Sequence, residues 1–194
     1  MDRNGPVVLV GPMAVGKSAV GRTLAHRTGT RLIDSDRVIV ERHGAISTIF
    51  AQQGEEAFRK LEAEVIREAL AEDDVVVSLG GGAVLHPGTR KLLERATVVF
   101  LDIDIDTIRP RISGDTGRPL LDGGAEERWQ ELYDERRPLY AALASIVVDT
   151  RGLSVREACE AVLLALAGDG RHSRSTADAP PTDLNDESGT NHHD

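Results

Sequence analysis

Gly11-Pro12-Met13-Ala14-Val15-Gly16-Lys17-Ser18 is the stretch that decides how the chain is read. It fits G-x-x-x-x-G-K-[ST], a loop that cradles phosphates. The two glycines let the backbone curl so that its N–H groups face β- and γ-phosphates. A helix starting near Lys17 would add its positive dipole end. Lys17 brings a mobile ammonium, and the Ser18 hydroxyl is a ligand for Mg²⁺. The context fits on both sides, with a strand pattern at Val7–Val10 and a helix pattern at Lys17–Thr28.

Working outward, the same alternation repeats. Strand patterns cover Thr30–Asp34, Val75–Leu79, Thr97–Leu101 and Ile146–Asp149. They are continuously apolar rather than alternating, which suits strands covered on both faces. Helix patterns cover Ser35–His43, Glu55–Ala71, Gly88–Glu94, Ile105–Ile112, Glu126–Ala144 and Val155–Ala167. The order predicts an α/β fold, a parallel sheet flanked by helices, with ligands at the carboxyl ends of the strands. Two segments depart from it. Residues 113–124 hold four glycines and no periodicity, and read as a mobile surface loop. Residues 169–194 carry six acids and two arginines without an aromatic, and read as a disordered acidic tail. Three histidines of that tail are read as solvated rather than as metal ligands. Residues 1–168 are thus the one domain.

Composition narrows the partners. Lys plus Arg number 23 against 32 Asp plus Glu, a net charge of −9. That balance argues against nucleic acid and against an anionic membrane surface. No apolar run reaches a membrane span, and the chain is expected in the cytoplasm. One cysteine, Cys159, excludes an internal disulfide and lies among apolar neighbours, so a buried thiol is expected. Only three residues are lysine, and one of them is Lys17.

A second set of residues lies near the strand ends. Asp34-Ser35-Asp36 follows the second strand. One carboxylate could hold a Mg²⁺ water and the other accept a hydroxyl proton. Equally, Asp34 or Ser35 could simply cap the next helix. Phe58-Arg59 precedes Glu62 by a spacing that lets the carboxylate hold the guanidinium; a plain surface pair is the simpler alternative. Gly80-Gly81-Gly82 follows the third strand and permits close approach of a ligand. Arg118-Pro119-Leu120-Leu121 lies in the mobile loop, and Arg136-Arg137-Pro138-Leu139-Tyr140 in a helix. An arginine on a closing loop can neutralise a transferring phosphoryl group, and an arginine fork suits a carboxylate.

Together these motifs, in this order across residues 6–167, resemble the shikimate kinase family of P-loop kinases. The resemblance implies a three-layer P-loop kinase fold with a five-stranded parallel sheet of order 2-3-1-4-5, a substrate region near 35–62 and a lid. It implies ATP-dependent phosphorylation of the 3-hydroxyl of shikimate, on the route to chorismate and aromatic amino acids. ATP would be the co-substrate and Mg²⁺ the cofactor, in a protein expected to act as a monomer. Catalysis would fall to Asp36, Lys17 and Arg118. Shikimate would meet Asp36, Arg59, Arg136 and the backbone of Gly80, Gly81 and Gly82, between Phe50 and Phe58. ATP would meet Gly11, Ala14, Val15, Gly16, Lys17, Ser18, Ala19, Arg118 and Arg151, with Arg111 along the adenine. Ser18 and Asp34 would serve the metal. The family often has Arg and Pro after the last strand, where this chain has Thr150-Arg151-Gly152-Leu153-Ser154, so Arg151 is the substitute there. Two other classes remain open: a gluconate-type sugar-acid kinase, and a nucleotide-binding protein without turnover.

Overall fold

Valine and leucine set the architecture. The computed structural model describes residues 5–112 and 124–172. Five short apolar segments form β1 (Val7–Val10), β2 (Arg31–Asp34), β3 (Val75–Ser78), β4 (Thr97–Asp102) and β5 (Ile146–Asp149). All ladders are parallel, in the order β2-β3-β1-β4-β5, as the resemblance implies. The crossovers are α1 (Lys17–Thr28), α2 (Ser35–His43), α3 (Ile46–Leu70), α4 (Pro87–Leu93), α5 (Ile105–Ile112) and α6 (Ala125–Leu143), and α7 (Val155–His172) follows β5. A 3-10 turn, Ala83–Leu85, follows β3.

Side-chain alternation makes the layers. Leu9, Val76, Val99 and Leu101 pack with Val20 and Leu24 of α1 and with Cys159, Val162 and Leu166 of α7. The intervening residues Val8, Val10, Val77 and Phe100 pack on the other face with Ile66 and Ala69 of α3, Leu93 of α4 and Tyr140 of α6. Each such side chain contributes roughly 1.5–3 kcal/mol on burial. Cys159 is buried and free, as expected. A smaller cluster, Ile39, Ile49, Phe58 and Val65, holds α2 against α3.

Register places the functional residues. Asp34 of β2 lies opposite Ser78 of β3, and Leu9 of β1 is also paired with Ser78. The ends of β2, β3 and β1 therefore open at one level. β1 lies between β3 and β4, where the connections leave in opposite directions, so its carboxyl end faces the crevice of the sheet.

Some expected boundaries move. α3 begins at Ile46 with a helical piece that was not expected; Gly54 (φ 80°, ψ 171°) is not helical and kinks the chain there, and the expected helix follows from Glu55. Ser47, Thr48, Gln52 and Gln53 carry little apolar signal, and Gly54 read as a break. α7 reaches His172, so residues 169–172, assigned to the tail, belong to the helix. Adding a residue to a formed helix costs little. Most of the expected lid, residues 113–123 with Arg118, lies outside the described residues, as do residues 173–194. Gly124 caps the start of α6. Among the described residues no helix is long and apolar enough to cross a membrane.

Candidate active site

The phosphate loop joins β1 to α1. Gly16 is the N-cap of α1 with φ 104° and no side-chain cap, so the helix start is left to backbone amides. Ala14 also takes a positive φ of 65°. The loop carbonyls are held from outside. Lys17, only 8% exposed, donates from Nζ to the Gly11 and Pro12 carbonyls at 2.9 and 2.8 Å. Trp129 Nε1 donates to the Met13 carbonyl at 3.0 Å. Arg111 Nη1 lies 3.5 and 3.4 Å from the Ala14 and Val15 carbonyls. The Gly16 carbonyl accepts from Val20 N–H at 2.9 Å. A ring of carbonyls turned outward leaves the amides to turn inward, the arrangement an anion requires.

Three oxygens gather beside this loop. Ser18 Oγ lies 3.4 Å from Ser78 Oγ, and Ser78 faces Asp34 across the ladder. Asp34 Oδ1 accepts from Arg37 N–H at 3.2 Å, so Asp34 does cap α2. One carboxylate oxygen serves the cap, and the second is available for a water-mediated metal. Among the described residues no three His, Cys, Asp or Glu gather as a metal cage. The donor set fits Mg²⁺, which is usually held by one or two carboxylates together with phosphates and waters.

The second pocket is built against the glycines after β3. Ser35, fully buried, accepts from Gly80 N–H at 3.1 Å and so ties that turn to α2. A Cβ at Gly80 would stand 2.5 Å from Asp36 Oδ1 and 2.8 Å from Glu62 Oε1. Both carboxylates therefore rest on Gly80, and glycine is required there. A Cβ at Gly82 would come within 2.2 Å of Arg59 Nη2. Tyr140 donates from its hydroxyl to the Gly81 carbonyl. Arg59 donates to Glu62 Oε2 at 2.7 Å and, from Nε and Nη2, to Glu55 Oε1 at 3.3 and 3.1 Å. Its guanidinium also lies 5.1 Å from the Phe58 ring. The Phe58 and Phe50 rings lie 4.7 Å apart, tilted by 41° to one another. Arg136 Nε is buried without an acceptor among the described residues.

The family model for shikimate kinase matches residues 13–167. A shikimate kinase of Streptomyces coelicolor is 47% identical over 161 residues, covering 82% of this chain and 94% of that protein. The chain belongs to the shikimate kinase family. The structure of "Shikimate kinase from Acinetobacter baumannii in complex with shikimate" superposes with a TM-score of 0.82 at 33% identity, covering 87% of this chain and 96% of that one. A gluconokinase from Sinorhizobium meliloti has a TM-score of 0.65 at 22% identity, covering 90% and 98%, a likeness of fold alone.

Within this shikimate kinase fold Glu62 is the buried carboxylate beside Gly80, paired with Arg59. It is 1% exposed, and burial pushes its carboxyl up to about 7; Asp36 adds to the rise, while Arg59 and Arg136 oppose it. The folded carboxyl thus binds its proton more tightly than the unfolded one, whose value is near 4.5. Stability from this group is fully present below about 4.5 and is lost as pH rises towards 7. Over that window the loss amounts to roughly 3 kcal/mol. Glu62→Gln is expected to flatten the pH dependence of the urea unfolding free energy between pH 5 and pH 8. An equal slope in variant and wild type would remove Glu62 as its source.

Other residues sort clearly. Arg137, adjacent to Arg136, faces elsewhere: it pairs with Asp102 Oδ2 at 3.0 Å and donates to the Tyr133 hydroxyl at 2.9 Å. Tyr133 donates to Asp102 Oδ1 at 2.7 Å, and burial with this bond pushes its hydroxyl up to about 12. Arg151 sits at the carboxyl edge after β5, held by Asp149 and 3.7 Å from Asp104. Arg111, expected along the adenine, lies against the phosphate-loop carbonyls. Sequence reading missed Glu55 and Trp129, and gave Ser78, which opens the motif running to Gly82, no role of its own. Glu55 precedes Arg59 by one helical turn, a spacing that could have revealed it. Nothing local links Trp129 to Met13, which is 116 residues away.

Proposed function

We propose that this shikimate kinase transfers the γ-phosphoryl group of ATP to the 3-hydroxyl of shikimate, giving shikimate 3-phosphate and ADP. The observation that carries this reading is the joining of two differently charged sites on Gly80 and the loop before α1. One is an amide cradle for phosphates. The other sets two guanidinium groups beside two carboxylates and an apolar wall, which suits an anionic polyol.

The roles follow from the chemistry. Arg59 and Arg136 grip the substrate carboxylate, displacing part of the Glu55 contact. Glu62 orients Arg59. Asp36 accepts the proton of the attacking hydroxyl. Gly80, Gly81 and Gly82 border the ring. The amides of Gly11, Ala14, Val15 and Gly16, with Lys17, Ser18 and Ala19, hold the phosphates. Lys17 leaves the loop carbonyls to neutralise the transferring charge. Arg118 closes over that charge, and Arg111 and Arg151 flank the nucleotide. Ser18 and Asp34 would hold Mg²⁺, which supplies charge neutralisation at the bridging phosphate oxygens.

A coupled ADP-release assay tests the acceptor. Turnover is expected with shikimate, and shikimate dehydrated to an aromatic ring should be inert. Turnover with gluconate but not shikimate would overturn the reading, and no turnover with either would leave a nucleotide binder.

A further inference from the structure

We propose that Trp129 is a positioning residue for the nucleotide. It rests on assigning the loop before α1 to the triphosphate. The indole N–H holds the Met13 carbonyl outward at 3.0 Å. A trans peptide is planar, so fixing the carbonyl of Met13 turns the N–H of Ala14 to the opposite side. That N–H is one of the cradle's donors. Ala14 itself sits at φ 65°, a conformation that non-glycine residues rarely hold unaided. The loop therefore needs an external hold at this peptide.

The other donors to the loop suit that task less well. Lys17 has to reach the phosphates during transfer, and its bonds to Gly11 and Pro12 are surrendered then. Arg111 is exposed, and its contacts at 3.4 and 3.5 Å are long. Trp129 is 1% exposed and is braced from the sheet. Its ring stacks on Tyr133 at 5.0 Å and 12°, and Tyr133 is tied to Asp102 at the end of β4. Arg137 closes the same network from the next turn of α6. The hold thus runs from β4 through α6 to the loop after β1, bypassing the mobile cation.

The chain has one tryptophan, so growth on 3-benzothienylalanine replaces Trp129 alone. That analogue keeps the ring shape and puts sulfur where the N–H was. The expected result is a KM for ATP raised about five- to tenfold, the size of one lost hydrogen bond, with the KM for shikimate unchanged. Trp129→Phe should show the same split with a larger loss of Tm. Should that variant fail to fold, the analogue decides the matter. An analogue protein with wild-type ATP affinity, or one whose two KM values rise together, would overturn the role. Failure of the underlying assignment reads differently: Lys17→Met would then leave ADP affinity by calorimetry unchanged in the unmodified chain.

Discussion

Replacing Asp36 by asparagine is expected to lower kcat by about 10²- to 10⁴-fold, the range over which a positioned general base acts. The KM for ATP should stay within a few-fold of wild type. Asparagine keeps the shape of the side chain against Gly80, where a Cβ would meet Asp36 Oδ1. It can still hydrogen-bond a ring hydroxyl. What it loses is the capacity to take a proton, so the loss should appear in kcat rather than in binding. Steady-state kinetics with calorimetric binding of shikimate separates the two. Retention of most turnover would leave Asp36 an orienting group only. Glu62 complicates a simple outcome in a useful way. It lies on the same glycine, and its carboxyl is pushed up to about 7. Residual activity of Asp36→Asn that grows between pH 6 and pH 8 would identify Glu62 as a substitute base.

Arg59→Met is expected to raise the KM for shikimate about 100-fold, as for truncation of a desolvated charge pair. The KM for ATP should hardly change. The guanidinium makes two kinds of contact, and both matter. Its Nη1 neutralises buried Glu62, while among the described residues Nε and Nη2 are held by Glu55, whose side chain is 58% exposed. A substrate carboxylate can replace that exposed partner at low cost. Methionine removes the ligand fork and leaves Glu62 buried without its nearest cation, pushing its carboxyl further up. Arg59→Lys restores a charge but not the fork, and should recover only part of the affinity. A wild-type KM for shikimate in Arg59→Met would remove the residue from the acceptor site.

The sequence made the phosphate loop and the sheet legible for one physical reason: both are local. A glycine-lysine-serine pattern and a run of valines each act within a few residues. The acceptor pocket was legible only as a set, since Asp36, Arg59, Gly80 and Arg136 come from four separate segments. What escaped was either masked locally or carried at long range. Gly54 is the break it looked like, but the packing of Ile49 and Phe58 on Ile39 holds a helical piece before it as well as after it. Trp129 reads as core, and it is core; its polar edge matters because tertiary folding brings Met13 to it. The choice between Arg136 and Arg137 also rests on helix rotation, since Asp102 claims only the second.

The pairing of Asp34 with Ser78 has a consequence for how this protein tolerates change. The relative placement of Asp34 and Ser78 is set by the hydrogen bonds between their strands. A slip of one residue of β2 along β3 would move Asp34 by about 3.3 Å and turn its side chain to the other face. Asp36 would be carried along with it. The ladder therefore sets this spacing, and it is made of backbone amides and carbonyls that every residue except proline supplies. Core replacements such as Val77→Ala should cost stability while leaving kcat untouched in the folded fraction. Catalytic geometry and core composition can thus vary independently of one another.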